Sequence, residues 1–165
     1  MLPCSTGEMT HCTLPLAAAW RRTRRVDTPL PQAPAGSRGR VLFVDDDRNS
    51  GEAVCELLRF VGYDCVWKDG VRTAFAALAD RAARTADVLM LDLRLKDGDE
   101  GATLVHQLRE AGLPVPPIVI FSARTPAFVD RVGREIGAHG VLYKPSGIDA
   151  ICRALENARA AAPAH

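Results

Sequence analysis

No apolar run in the chain approaches the roughly 18 residues that a membrane-spanning helix requires, so no segment reads as a span. The longest apolar stretch ahead of residue 40 is Leu14 to Trp20, and the arginines of that region, Arg21, Arg22, Arg24 and Arg25, come after it. A secretory leader carries its positive charge first, so this order argues against one. Cysteines at redox or zinc spacing are also missing. The five present, Cys4, Cys12, Cys55, Cys65 and Cys152, are odd in number and include no C-x-x-C pair. That speaks against a disulfide framework and for free thiols in a reducing, cytoplasmic setting. Cys55, Cys65 and Cys152 fall at core-facing positions and read as small buried hydrophobes. Cys4, His11 and Cys12 lack a fourth ligand at a standard metal spacing. Excess charge of one sign is absent too. The net charge is +1, but five Arg against Glu8 and Asp27 give residues 1–39 a net +3, and 16 basic against 18 acidic residues leave 40–165 at −2. A nucleic-acid role would rest on clustered arginines alone and ranks last.

Apolar residues make up 47% of the 165 positions, enough for one full core. Residues 26–40 hold three Pro and two Gly and read as a linker. The expected organisation is a basic, unstructured extension and linker over 1–39, one folded domain over 40–160, and a short tail over 161–165. A start at Met9 is an alternative reading of the extension. Within the domain, strands at 40–45, 63–67, 87–92, 118–122 and 140–144 alternate with helices at about 48–61, 71–83, 101–112, 126–136 and 147–160. The first helix is expected to turn Ala53, Val54, Leu57, Leu58 and Val61 inward. The second turns in Val71, Phe75, Leu78, Ala79 and Ala82. Five such units predict an α/β fold: a doubly wound, five-stranded parallel sheet of order 2-1-3-4-5 with helices on both faces.

Four apolar runs end in polar residues: Asp45-Asp46, Asp92, Ser122 and Lys144-Pro145. Runs of this kind read as strands buried on both faces, and their first polar residues then line the carboxyl edge of the sheet, where ligands bind in such folds. Three carboxylates there repel one another by roughly 4 kcal/mol per pair at 4 Å and an effective dielectric of 20. A hard divalent cation such as Mg2+ relieves that repulsion and keeps positions for phosphate oxygens. Lys144 supplies a point charge, Ser122 a hydroxyl donor, and Asp92 an ionised nucleophile that needs no general base. Bland readings exist for each: a solvated acidic loop, a Lys that only pairs with Asp92, a Ser that merely ends a strand. A Pro directly after a strand end is a candidate cis peptide.

VLFVDDD, VLMLDLRLKDGDEG, VIFSAR and VLYKPS resemble the receiver domains of two-component response regulators. The spacing agrees: 46 residues from Asp46 to Asp92, then 30 to Ser122 and 22 to Lys144. The resemblance covers about 40–160 and implies the flavodoxin-like receiver fold. It implies that Asp92 is the phosphoacceptor, charged by a histidine kinase or histidine phosphotransfer protein in a Mg2+-dependent reaction. Asp46, Asp92 and the main-chain carbonyl of Arg94 would hold the metal, Asp45 would act through water, and Ser122 and Lys144 would hold the phosphoryl group. Asp47 is expected to cap the first helix. With few residues after the last helix, a single-domain type is expected. It would signal through phosphorylation-dependent binding of a downstream protein on the face made by the last two helices and last strand. A phosphorelay intermediate is equally compatible. No turnover of an external substrate is expected, and the sequence is silent on oligomeric state.

Three departures stand out. Lys96 and Glu100 replace the Pro and Gly of many relatives. Val141 stands where relatives place an aromatic that couples to the Ser122 hydroxyl, while Tyr143 is adjacent to Lys144; core packing is the favoured reading of both. Arg94 and Arg124 lie two residues beyond Asp92 and Ser122, where two guanidinium groups would shield or bind a phosphoryl group and alter its lifetime. Two other classes remain. A receiver-fold module that signals without phosphate is motivated by Val141. A metal-dependent phosphatase would want D-x-D-x-[TV] after the first strand, and Asn49 occupies the last place.

Overall fold

Each apolar run expected as a strand pairs into one parallel sheet, because successive residues of every run can be buried on opposite faces. The computed structural model describes residues 36–80, 86–95 and 100–161. In chain order the elements are β1 (Arg40–Val44), α1 (Arg48–Phe60), β2 (Asp64–Lys68), α2 (Val71–Ala79), β3 (Val88–Leu91), α3 (Gly101–Glu110), β4 (Ile118–Ser122), α4 (Pro126–Ile136), β5 (Gly140–Tyr143) and α5 (Ile148–Ala161). The strand order is β2-β1-β3-β4-β5, all parallel, as expected. The chain adds β2 on one side of β1, then crosses back to add β3. The switch point therefore lies at the carboxyl ends of β1 and β3.

Period-two alternation sends Leu42, Val44, Leu89, Leu91, Ile118 and Ile120 into one core, shared with Leu104, Val105 and Leu108 of α3 and Val129, Val132 and Ile136 of α4. The intervening Val41, Phe43, Val88, Met90, Val119 and Phe121 enter a second core against α1 and α5. At the amino edge, buried Arg40 is tied to Asp64 at 2.8 Å, and its amide donates to Asp87 at 2.7 Å. The carboxyl edge is left to carry the acidic cluster.

Several expectations need correction. The buried stripe of α1 is Gly51, Cys55 and Leu58, with Val54 partly buried; Ala53 and Leu57 are exposed. The helix is rotated because Gly51 and Cys55 face Trp67 and Cys65 of β2. Cys55 and Cys65 are core-facing as expected, but they are disulfide-bonded across this seam, Cα to Cα 5.2 Å, and not free thiols. Cys152 is free and buried. Helix α2 ends at Ala79, with Asp80 extended, short of the expected 83, and buries Ala74 in addition to Val71 and Leu78. Ala82 lies outside the described residues, as do 1–35 of the expected extension and 162–165 of the tail. Val141 and Tyr143 are 37% and 40% exposed, so neither is a core residue. Strand β5 is the sheet edge, and both side chains reach solvent there. Asp47 caps α1 as expected, accepting from the Asn49 amide at 3.0 Å.

The disulfide makes a direct chemical prediction. Alkylation of the denatured, unreduced protein should leave Cys55 and Cys65 unmodified and label Cys152. Peptide mass mapping that finds all three labelled would contradict the pairing.

Candidate functional site

The four strand-end elements converge at the switch point. Strand pairing extends one step past β1, where the Asp45 amide donates to the Lys68 carbonyl at 3.1 Å, and the Asp92 amide donates to the Val44 carbonyl at 2.9 Å. These two backbone bonds set the two aspartates side by side. Asp45 and Asp92 are buried, and Asp46 is half-buried at the rim. Lys144 follows β5, its own amide held by the Ser122 carbonyl at 3.1 Å, and joins Pro145 through a cis peptide.

The Lys144 ammonium spans both carboxylates, 2.7 Å from Asp45 Oδ2 and 2.6 Å from Asp92 Oδ2. Burial disfavours this ammonium, but hydrogen bonds to Asp45 and Asp92 and their negative charge outweigh that effect, so its pKa lies above the usual 10.5. A raised pKa means the stabilisation is complete below the unfolded value and is lost only as pH rises through the folded one. The cation is therefore fully in place at neutral pH. On the other side, Asp92 Oδ1 accepts from the Ser122 hydroxyl at 3.0 Å and the Arg94 amide at 3.1 Å. Asp92 is thus the meeting point of β3, β4 and β5.

The structure brings Asp45, Asp46, Asp92, Ser122 and Lys144 together. Asp45, Asp46 and Asp92 each present a carboxylate oxygen within 4.8 Å of the others. Three hard oxygen donors at that separation, two of them sharing the Lys144 ammonium, suit a divalent cation. Arg94 is bridged to Glu100 in an antiparallel pair that closes the loop after Asp92; Lys96 lies outside the described residues. The Arg124 amide is 3.4 Å from Ser122 Oγ, while its guanidinium lies over the Phe128 ring at 4.8 Å, with Arg131 at 5.1 Å from the same ring.

Three contributors escaped the sequence reading. Ser50, in the first turn of α1, donates to Asp45 Oδ2 at 3.0 Å. Trp67 donates its indole N–H to the Asp45 carbonyl at 2.7 Å. Gly101 starts α3 so close to the site that a Cβ there would lie 2.1 Å from the Asp92 carbonyl. The position of Ser50, five residues beyond Asp45 on a capped helix, is a signal that could have pointed to it. Nothing in the sequence around Trp67 or Gly101 marks them.

Residues 41–156 match the response regulator receiver domain family, and the chain belongs to that family. Receiver domains of this kind are phosphorylated by histidine kinases or phosphotransfer proteins. Over 110 residues the chain is 34% identical to the swarming motility regulation protein RssB of Serratia marcescens, covering 64% of this chain and 46% of that one. It is 33% identical over 111 residues to the response regulator MprA of Mycobacterium avium, covering 67% and 46%. The chain thus spans about half the length of the curated relatives it matches. In structure it is similar to the chemotaxis protein CheY4 of Vibrio cholerae, with a TM-score of 0.64, 25% identity, and coverage of 73% of this chain and 98% of that one. It shares the fold of FixJ-N with a TM-score of 0.67, 22% identity, and coverage of 77% and 98%. Among the described residues no helix is long and apolar enough to cross a membrane.

Removing one partner of a buried ion pair leaves an uncompensated charge, which costs about 3–5 kcal/mol. Lys144→Met should therefore lower stability by about that amount at pH 7 in divalent-free buffer, with part of the loss recovered on adding Mg2+. Urea denaturation with and without Mg2+ checks both halves.

Proposed function

We propose that the protein is a phosphorylation-dependent signalling protein in which Asp92 accepts a phosphoryl group from a phosphohistidine of a histidine kinase or histidine phosphotransfer protein, in a Mg2+-dependent reaction. The observation that carries this reading is the placement of Lys144 and Ser122 on opposite oxygens of one buried carboxylate. A carboxylate oxygen of Asp92 attacks phosphorus in line, the P–N bond to the imidazole breaks, and the leaving nitrogen keeps the electron pair. A carboxylate nucleophile has no proton to give up in the step, so no base is required. As the P–O bond forms, the Lys144 ammonium and Ser122 hydroxyl transfer their hydrogen bonds from Asp92 to phosphoryl oxygens, where charge accumulates. Asp46, Asp92 and the Arg94 carbonyl would hold the metal, with Asp45 acting through water. Bound there, Mg2+ supplies charge neutralisation for the same oxygens.

In this reading the protein assists its own phosphorylation and dephosphorylation and turns over no external substrate. The signal leaves by binding of a downstream protein on the α4–β5–α5 face, supported by the exposure of Val141 and Tyr143 and by Phe128 flanked by Arg124 and Arg131. The second reading, a receiver-fold module that signals without phosphate, is favoured by one observation: the half-exposed Val141 offers no aromatic ring to follow Ser122.

Incubation with acetyl phosphate and Mg2+ separates the two. The wild type should gain the mass of one phosphoryl group, and the gain should vanish in Asp92→Asn and in EDTA. A wild type that gains nothing belongs to the second reading. For the lifetime, Arg94→Ala with Arg124→Ala should change the half-life of the phosphorylated form by several-fold. An unchanged half-life would remove the guanidinium groups from the account.

A further inference from the structure

Asp45 has a partner for each of its polar groups. Its amide meets Lys68, Oδ1 accepts from the Asp47 amide at 2.9 Å, and Oδ2 accepts from Ser50 and Lys144. The carbonyl is taken by the indole of Trp67 at 2.7 Å. That last bond is not part of the phosphoryl chemistry, yet the chain is built around it. Trp67 stands on β2 opposite Phe43 of β1 and lays its ring against α1 at Gly51. A Cβ on Gly51 would lie 2.3 Å from Nε1 and 2.4 Å from Cδ1 of the indole. A glycine opens the helix face for the ring, and the ring's single donor meets a strand-end carbonyl. The two contacts together locate the indole.

The carbonyl belongs to the peptide that joins Asp45 to Asp46. If that peptide turns, the Cα of Asp46 moves and its carboxylate points elsewhere. From this geometry we infer that Trp67 is a positioning residue for the acidic pocket. Through the Asp45 carbonyl it aims Asp46, a residue for which no contact with the indole is needed, and so tunes affinity for a divalent cation. The inference rests on the reading of Asp45, Asp46 and Asp92 as a Mg2+ site. Partners that orient metal ligands from behind typically change metal affinity 10- to 100-fold when removed. A single neutral hydrogen bond to a backbone carbonyl belongs at the lower end, about 10-fold. Trp67 also becomes an optical reporter, since its N–H bond is one peptide away from a metal ligand.

Titration calorimetry of Mg2+ into the full chain tests the proposal, with urea denaturation of every variant alongside. Trp67→Phe removes the donor, and Gly51→Ala keeps the donor but displaces the ring. Each should weaken Mg2+ binding about 10-fold relative to wild type. Val54→Ala, which loosens the same helix without touching the bond, should lose stability and keep the wild-type Kd. In a Trp20→Phe background, Trp67 emission should change saturably with Mg2+ and stay flat in Asp46→Asn. Wild-type Mg2+ binding with unchanged Kd in both Trp67→Phe and Gly51→Ala overturns the positioning role alone. Should Trp67→Phe fail to fold, Gly51→Ala with wild-type affinity, or emission that ignores saturating Mg2+, still overturns it. A wild type that takes up no Mg2+ brings down the metal-site reading and this inference with it.

Discussion

One ammonium between two buried carboxylates holds the carboxyl edge of this sheet together. Asp45 follows β1, Asp92 follows β3 and Lys144 follows β5, and the two Lys144 contacts of 2.7 and 2.6 Å join residues 99 and 52 positions apart. Two like charges buried side by side are tolerable only when a counter-charge is supplied nearby. The parallel order places β4, with Ser122, between β3 and β5. The lysine must reach across that strand to β3 and β1, and the path is lined by the Phe121 ring, 5.3 Å from the ammonium. The topology thus decides which residues meet, and the charge balance decides that they stay.

The same constraint explains how the surroundings are built. Each face of the sheet is closed by an apolar core, so the polar groups at the strand ends face a low-dielectric wall, where hydrogen bonds and ion pairs strengthen. Gly101 lets α3 begin against the Asp92 carbonyl, and Gly51 lets Trp67 reach the Asp45 carbonyl. The two aspartates are therefore gripped by side chain and by backbone. In a phosphoryl-transfer site, catalysis comes from such fixed positions and not from mobile acids or bases.

Much of the fold was legible in the sequence, because buried parallel strands are continuous apolar runs and their first polar residues mark the sheet edge. Asp45, Asp92, Ser122 and Lys144 could be placed together from that rule and from the resemblance to receiver domains. Three kinds of feature could not. Helical periodicity reports an apolar face but not its phase when a glycine and a cysteine supply the contact, so the pattern of α1 predicts Leu57 inward while Gly51 and Cys55 face β2. An odd count of cysteines hides a pair whose partners meet only in three dimensions, as Cys55 and Cys65 do. Edge position cannot be read from a strand in isolation: Leu142 of β5 packs against a core, while Val141 and Tyr143 on its other face are exposed. Trp67 belongs with these. An aromatic on a strand looks like packing until its indole N–H is seen to meet the carbonyl of a site residue.

The central claim is that Asp92 receives a phosphoryl group from phosphohistidine. Profiling of radiolabelled phosphotransfer from purified, autophosphorylated histidine kinases and phosphotransfer proteins tests it most directly, because it examines the chemistry and names the donor together. The account predicts that at least one donor loses label to the wild-type chain within seconds to minutes, with no transfer to Asp92→Asn. Label that reaches Asp92→Asn as readily as wild type, or that no donor passes to either, would contradict it.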